Sequence, residues 1–295
     1  MKPSKVYFTK EITPESLIKI YKALGRELRG NVGVKISTGE MGGNNYLKPE
    51  LIGGLVDMLN GTIIECCTAY GGSRQDPKKH WNTIIAHGFV PRFKVDIMDK
   101  EGQIEIPVHQ GFHLDKDIVG ENLDNYDSVL ILSHFKGHIM GGFGGALKNI
   151  SIGIASTAGK AYIHSAGQTT DSKDCWGKYA PKQDDFLESM ADACEAVLRY
   201  VGYKNLAYIN VANRLSVDCD CDSNPHEPEM CDLGIFASLD PVAIDQACYD
   251  AVKNSDDAGK AALIERMDSR HGIHTVEAAE KLGLGTREYE IVSLD

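Results

Sequence analysis

The chain has 295 residues, of which 42% are hydrophobic and 25% are charged, a composition that is ordinary for a folded globular protein. This length suffices for one large α/β unit, and we expect a single domain over residues 1–295. The net charge is −11, and acidic and basic residues are mixed along the chain without a basic stripe. Nucleic acid and anionic membranes are therefore not expected as partners.

No apolar run approaches the roughly 18 residues that a membrane span requires. The segment before Val6-Tyr7-Phe8 also lacks the apolar stretch of a signal peptide, which predicts a cytoplasmic location. In a reducing cytoplasm the eight cysteines are expected to be thiols or metal ligands, not a disulfide framework.

Short apolar runs alternate with helical patterns along the chain. Helical patterns are predicted at residues 13–28, 51–59, 80–87, 184–201 and 240–252, and strands at residues 32–36, 62–65, 128–132 and 206–211. This alternation predicts an α/β fold with a mostly parallel sheet covered by helices on both faces. Gly102, between two short apolar segments, predicts a small β-hairpin insertion over residues 98–108.

The first candidate loop, residues 133–149, follows the apolar strand that ends at Leu132. Its histidines, four residues apart, suit metal coordination or proton transfer, and its glycines allow backbone amides to approach an anion. Positive charge comes from Lys136 and Lys148. The predicted catalytic residues are His134, His138 and Lys148, and the predicted cofactor-binding residues are Gly141, Gly142, Gly144, Gly145 and Asn149. The alternative is a flexible loop with solvated histidines.

The second candidate loop contains Cys219 and Cys221, which follow the strand at residues 206–211. The neighbouring acids Asp218, Asp220 and Asp222 would raise the pKa of both thiols, which favours metal ligation over a free reactive thiolate. Two cysteines cannot complete a tetrahedral site, so the predicted metal ligands also include His134, His138 and His164. Iron, zinc and nickel all fit this donor set. The alternative is a pair of surface thiols in a solvated acidic loop.

The third candidate loop follows the strand at residues 62–65 and ends in Gly71-Gly72-Ser73-Arg74. Backbone amides and the guanidinium group of Arg74 can hold an anion, although an ordinary turn with an exposed arginine fits equally well. The adjacent residues Cys66 and Cys67 point to opposite faces if the backbone is extended. At most one of them is expected to face a site.

Taken together, three segments resemble one family: His134 to His138 with Gly141 to Asn149, then Asp218 to Cys221, then Asp240-Pro241 to Asp245. This is the family of the domain of unknown function numbered 362, often labelled as uncharacterised iron–sulfur centre proteins. The similarity extends over nearly the whole chain. Many members carry a ferredoxin-like insert, whereas residues 166–184 here contain only Cys175. The resemblance thus implies a metal centre without conventional ferredoxin clusters.

A more distant likeness concerns the loop around His134 and Lys148, which is similar to the cofactor loop of nickel-pincer enzymes of the lactate racemase type. It implies that His134 or His138 acts on the metal or on a substrate proton, with Lys148 at the cofactor. The spacing of these residues differs between the two, and such an analogy is a weak basis for function.

We therefore expect a metal-dependent oxidoreductase that acts on a small anionic metabolite and exchanges electrons with a partner protein. One alternative is a hydroxy-acid racemase or isomerase of the nickel-pincer type, with His134 and His138 on opposite faces of the substrate. Another is a non-catalytic metal or cluster carrier. A deep pocket lined by the predicted residues would favour an enzyme, whereas exposed Cys219 and Cys221 would favour a carrier.

Overall fold

The computed structural model describes residues 3–295, which form twelve β-strands and nine α-helices. The strands, numbered β1 to β12 in chain order, are Ser4–Thr9, Val32–Lys35, Thr62–Glu65, Lys94–Ile97, Gln103–Pro107, Lys116–Gly120, Ser128–His134, Lys136–His138, Gly142–Gly144, Leu206–Ala212, Gly234–Ser238 and Tyr289–Ser293. The helices, α1 to α9, are Pro14–Ala23, Pro49–Met58, Pro77–Ala86, Ala146–Ile154, Thr157–His164, Gln183–Val201, Pro241–Asn254, Lys260–Ser269 and His274–Lys281.

Eight of the strands form one sheet in the order β12-β1-β11-β10-β7-β2-β3-β4. The five strands from β10 to β4 are mutually parallel, and β11 pairs antiparallel with both β10 and β1. The mostly parallel sheet predicted from the alternating pattern is therefore confirmed. In such a sheet the loops that follow neighbouring parallel strands meet at one edge.

Helices cover both faces of this sheet, as predicted. Helices α1, α2 and α3 pack on one face around a core that includes Leu17, Ile52 and Ile84. Helices α4, α6 and α7 pack on the other face, with Ile150 and Val197 in their core. In the described part of the chain, no helix is both long enough and apolar enough to cross a membrane.

Several helices begin at residues that are typical of helix N-termini. Four helices, α1, α2, α3 and α7, have proline in the first turn, where the missing N–H costs nothing. Side chains of Thr13, Asp76 and Asp240 cap three of them. The predicted first helix extends to residue 28, but α1 stops at Ala23 because Gly25 adopts a positive φ of 64°.

A small antiparallel hairpin is present, but its partner strands differ from the prediction. Strand β5 pairs with β6, over residues 103–107 and 116–120, instead of folding back within residues 98–108. Residues 98–101, before Gly102, form a turn after β4 instead of the first strand of a hairpin. The connection that reverses the chain is therefore the loop at residues 108–115 and not a turn at Gly102.

Helix α4 is fixed by a carboxylate from another helix. Asp245 of α7 accepts hydrogen bonds from the backbone N–H groups of Ala146 and Leu147, at 2.7 and 2.9 Å, and from the side chain of Asn210 at 2.7 Å. A Cβ atom at Gly145 would lie 2.3 Å from this carboxylate, so only glycine allows the approach. Asp245 thus orients the glycine loop and the start of α4.

Replacing Asp245 with alanine should lower the free energy of unfolding by about 2–4 kcal/mol, because two helix N–H groups and a buried amide lose their acceptor. Urea unfolding of both proteins measures the change. Asp256→Ala, at an exposed position, is the matched control and should change stability by no more than about 0.5 kcal/mol. Equal stability of the two variants would contradict the anchoring role of Asp245.

Candidate functional site

A cavity of about 740 Å³ opens at the carboxyl edge of the parallel strands. The loops that follow β2, β3, β7 and β10 all contribute to its wall. The lining contains thiols, imidazoles and several cationic side chains, and its size lies in the range of ligand and cofactor sites. Cys66 faces this cavity while Cys67 packs in the core on the α1–α3 side, so only one of the two cysteines faces the site.

Three predicted ligands meet at one point of the cavity. Donor atoms of His138, Cys219 and Cys221 lie within 4.8 Å of one another. Cys219 is buried and Cys221 is half-buried, so the thiols are not the surface pair of the alternative interpretation. Two thiols and an imidazole match the donors that zinc and iron select, which makes this group a candidate metal centre.

The pKa of Cys219 is opposite to the expectation from sequence. A hydrogen bond from the Cys221 thiol holds the pKa of Cys219 well below its usual range, against the effect of burial, and Lys148 and Lys136 act in the same direction. The predicted effect of the neighbouring acids is outweighed by the Cys221 hydrogen bond and the two lysines. Asp218 pairs with His226 at 2.8 Å, and Asp220 pairs with His134 at 2.8 Å.

His138 faces Cys219 with a defined tautomer. Its Nδ1 accepts a hydrogen bond from the backbone N–H of Gly141 at 2.8 Å, which leaves Nε2 to face the Cys219 thiol. Burial lowers the pKa of His138 to about 4, and the charge of Lys148 acts in the same direction. The neutral ring therefore carries its proton on Nε2, and that nitrogen can bind a metal only in the other tautomer, with the proton on Nδ1 and the contact to Gly141 N–H given up.

His134 lies at the cavity wall but is held on both sides. Its Nδ1 contacts Asp220 Oδ1 at 2.8 Å and its Nε2 donates to the carbonyl oxygen of Asn213 at 2.7 Å. In this arrangement neither nitrogen offers a lone pair to a metal or a substrate. In the structure His134 therefore holds the cysteine loop in position through Asp220, and it is not placed to act as a catalytic residue or a metal ligand as predicted.

His164 is buried at the cavity but lies outside the group formed by His138 and the two thiols. Its Nδ1 donates to the carbonyl oxygen of Lys160 at 2.6 Å, so the lone pair of the neutral ring is on Nε2. Burial lowers the pKa of His164 to about 3. This is the tautomer of a metal ligand or a proton acceptor.

The glycine loop does not present a row of free amides. The N–H of Gly141 is bonded to His138, and Gly142 and Gly144 belong to the pair of β8 with β9. Gly144 and Gly145 line the cavity, whereas Gly141 and Gly142 are not in its wall. Asn149 also lines it, but its amide is bonded to the carbonyl oxygens of Lys35 and Leu132. The loop therefore shapes the cavity and ties its strands together.

Arg74 is buried and its charge is already balanced. It contacts Glu65 at 2.6 Å and Glu40 at 3.2 Å. Burial alone would raise the pKa of Glu65, but Arg74 and His80 outweigh it and hold that pKa well below its usual range. The guanidinium group therefore fixes the loop after β3 instead of providing a free charge for an anion.

Two cavity residues were not singled out from the sequence. Lys35 and Lys160 are buried lysines in the wall of the cavity. Lys35 donates to the carbonyl oxygen of Ile36 at 2.6 Å and to Asn149 at 3.0 Å, and Lys160 donates to Ala155. The signal was present for Lys35, since a lysine at the end of an otherwise apolar strand has to find a partner.

Comparison with known proteins identifies a family. A model of the family described as "Domain of unknown function (DUF362)" matches residues 32–250. None of the curated proteins matches the sequence.

Two solved structures are distantly similar. One is a lactate racemase apoprotein from Thermoanaerobacterium thermosaccharolyticum, with a TM-score of 0.49, 15% identity and coverage of 84% of this chain and 57% of the racemase. The other is a protein from Thermotoga maritima, with a TM-score of 0.49, 13% identity and coverage of 83% and 59%. The chain thus spans less than two thirds of each. At this level of similarity, neither structure carries information about the chemistry of this chain.

Replacing Lys35 with methionine should change how stability depends on pH. Burial lowers the pKa of Lys35 to about 8, whereas an unfolded lysine titrates near 10.4. The folded protein therefore pays for the charged form below pH 8, and this cost disappears as the pH rises towards 10.4. Relative to Lys35→Met, the wild type should gain about 2–3 kcal/mol in the free energy of unfolding between pH 7 and pH 10.

Denaturant unfolding at several pH values tests this expectation. The control is Lys204→Met at an exposed position, where the difference from the wild type should not vary with pH. A pH-independent difference for Lys35→Met would show that Lys35 is not destabilised by burial.

Proposed function

This chain belongs to the DUF362 family, and from that premise we propose that it is a cytoplasmic, metal-dependent oxidoreductase acting on a small anionic substrate. The observation that carries the proposal is the convergence of His138, Cys219 and Cys221 on one enclosed cavity. Lys148 in the wall of the same cavity supplies a positive charge beside these donors.

The proposed metal would be held by Cys219 and Cys221, with His138 as the third ligand once its proton moves from Nε2 to Nδ1 and the Gly141 N–H contact is released. Thiolates are soft donors and suit iron and zinc, while imidazole also suits nickel. Three protein ligands leave one position open, as in catalytic sites. When bound, a redox-active metal, iron or nickel, supplies an electron-transfer and Lewis-acid centre at the substrate. Iron–sulfur clusters of the ferredoxin type are not part of this proposal.

Side chains of the cavity hold and orient the substrate. Lys148 binds an anionic group of the substrate, since its charge already acts on Cys219 and His138. His164 is proposed to orient the substrate as a hydrogen-bond acceptor, because its Nε2 carries the lone pair of a ring that stays neutral at physiological pH. Burial of the walls excludes water and strengthens each of these interactions.

The depth of the site supports an enzyme over a metal or cluster carrier. A carrier must expose its cargo to a partner, whereas Cys219 is 6% exposed and lies in a cavity that can hold a substrate as well. Racemisation would need two histidines, one on each face of the substrate. Both nitrogens of His134 are occupied, so we favour oxidoreduction over racemisation. Electrons are proposed to pass to or from an electron-transfer protein at the mouth of the cavity.

The protein purified anaerobically should contain about one redox-active metal ion per chain. In the Cys219→Ser/Cys221→Ser double variant this metal should be lost, because hydroxyl groups are poor ligands for soft metals. Elemental analysis measures the content, and reduction with dithionite should change the visible spectrum of the wild type.

Cys231→Ser is the matched control, since Cys231 is exposed and remote from the group. It should retain the metal. Unchanged metal content in the double variant would contradict the ligand assignment. Zinc as the bound metal, with no spectral change on reduction, would contradict the oxidoreductase.

A further inference from the structure

Three lysines in the wall of the cavity have no carboxylate partner at salt-bridge distance among the described residues. Arg74 has two carboxylate partners, and Lys136 contacts Asp220 at 3.3 Å. In contrast, no carboxylate of residues 3–295 lies within 4 Å of the ammonium groups of Lys35, Lys148 or Lys160. Buried charges are costly unless they are paired. Lys148 acts on the low-pKa Cys219 thiol, and Glu65 acts on Lys35 without contacting it, so Lys35 and Lys160 mark where a ligand can supply a directly bound negative charge.

These lysines fall into two groups. Lys148 lines the cavity with its side chain against Gly144, and its charge acts on Cys219, Cys221 and His138. Lys35 and Lys160 both reach the carboxyl end of α4. The Lys35 ammonium donates to Asn149 and lies 2.8 Å from where a Cβ atom of Gly153 would stand. Lys160 donates to the carbonyl oxygen of Ala155, and the Cys66 thiol donates to that of the preceding residue. The cavity thus has one single positive charge and one pair of positive charges.

The pair is held in place without being neutralised. Lys35 and Lys160 are only 1% and 6% exposed, and their ammonium groups donate to backbone carbonyl oxygens and to the Asn149 amide. These partners orient the lysines but carry no negative charge. An ammonium group has three donors, so at least one N–H of each remains for a ligand.

We propose that Lys35 and Lys160 bind the phosphate group of a phosphorylated small organic acid, whose carboxylate lies at Lys148. Two adjacent cations match the nearly doubly charged phosphate, and the single cation matches a carboxylate. A cavity of about 740 Å³ accommodates a molecule that spans both groups. The phosphate subsite stands on the two lysines alone, whereas naming its ligand as the substrate rests on the proposed function.

Calorimetric titration of the full chain with inorganic phosphate at pH 7 tests the subsite. Phosphate should bind, and Lys160→Met and Lys35→Met should each weaken binding about tenfold or more, as expected for loss of a charge-assisted hydrogen bond. Lys204→Met should bind like the wild type. Melting curves identify variants that fail to fold, and Lys160→Met remains informative if Lys35→Met does not fold.

A series of phosphonocarboxylates of increasing chain length tests the second half of the proposal. One length should bind about tenfold more tightly than phosphate, and Lys148→Met should remove that gain while leaving phosphate affinity unchanged. A series in which no member exceeds phosphate would overturn the two-group ligand.

Absence of phosphate binding in the wild type, or equal affinity in the wild type and both lysine variants, would overturn the subsite. A different result would contradict the proposed function, namely unchanged metal content in the Cys219→Ser/Cys221→Ser variant. Phosphate titration of that double variant separates the two, because the lysine pair should still bind phosphate when the metal ligands are gone.

Discussion

The site depends on the parallel pairing of β7 with two neighbours at once. Lys35 of β2 lies opposite Ile131, and Val211 of β10 lies opposite His134. Because parallel strands all end at the same edge, this register brings the loops after β2, β7 and β10 together. The cysteine loop and the histidine loop, more than 70 residues apart in sequence, therefore share one cavity.

Buried charge determines how these loops are arranged. In a low-dielectric interior a charged group has to be paired, so the ionic side chains of the wall form defined contacts. The Asp220 carboxylate joins His134 to Lys136, and the Arg74 guanidinium joins Glu40 to Glu65. The lysines left over after this pairing are the ones available to a ligand.

Much of the fold could be predicted because buried strands and helix starts have characteristic local sequence patterns. The continuous apolar run of β7 and the proline starts of the helices are local signals, and they indicated the right elements. The hairpin partner could not be predicted, because β5 pairs with a strand that begins nine residues beyond its end. These two strands form a sheet of their own across that loop, and no turn signal near Gly102 reveals their pairing.

The candidate site, too, could be predicted only in part. Residue types and their place after strands indicated that Cys219, Cys221 and His138 belong together, as they do in the structure. The direction of the Cys219 pKa could not be predicted, because it depends on a hydrogen bond from Cys221 and on lysines that only the folded chain brings close. The sequence also could not show that the His134 nitrogens are occupied, since one of their partners is the carbonyl oxygen of Asn213 on another loop.

The central claim is that Cys219 and Cys221 hold a metal at the edge of the sheet. X-ray absorption spectroscopy at the edge of the bound metal, on anaerobically purified protein, tests this most directly. We expect two sulfur scatterers at about 2.3 Å and at least one lighter nitrogen or oxygen scatterer. A metal coordinated by nitrogen and oxygen atoms alone, without sulfur, would contradict the claim.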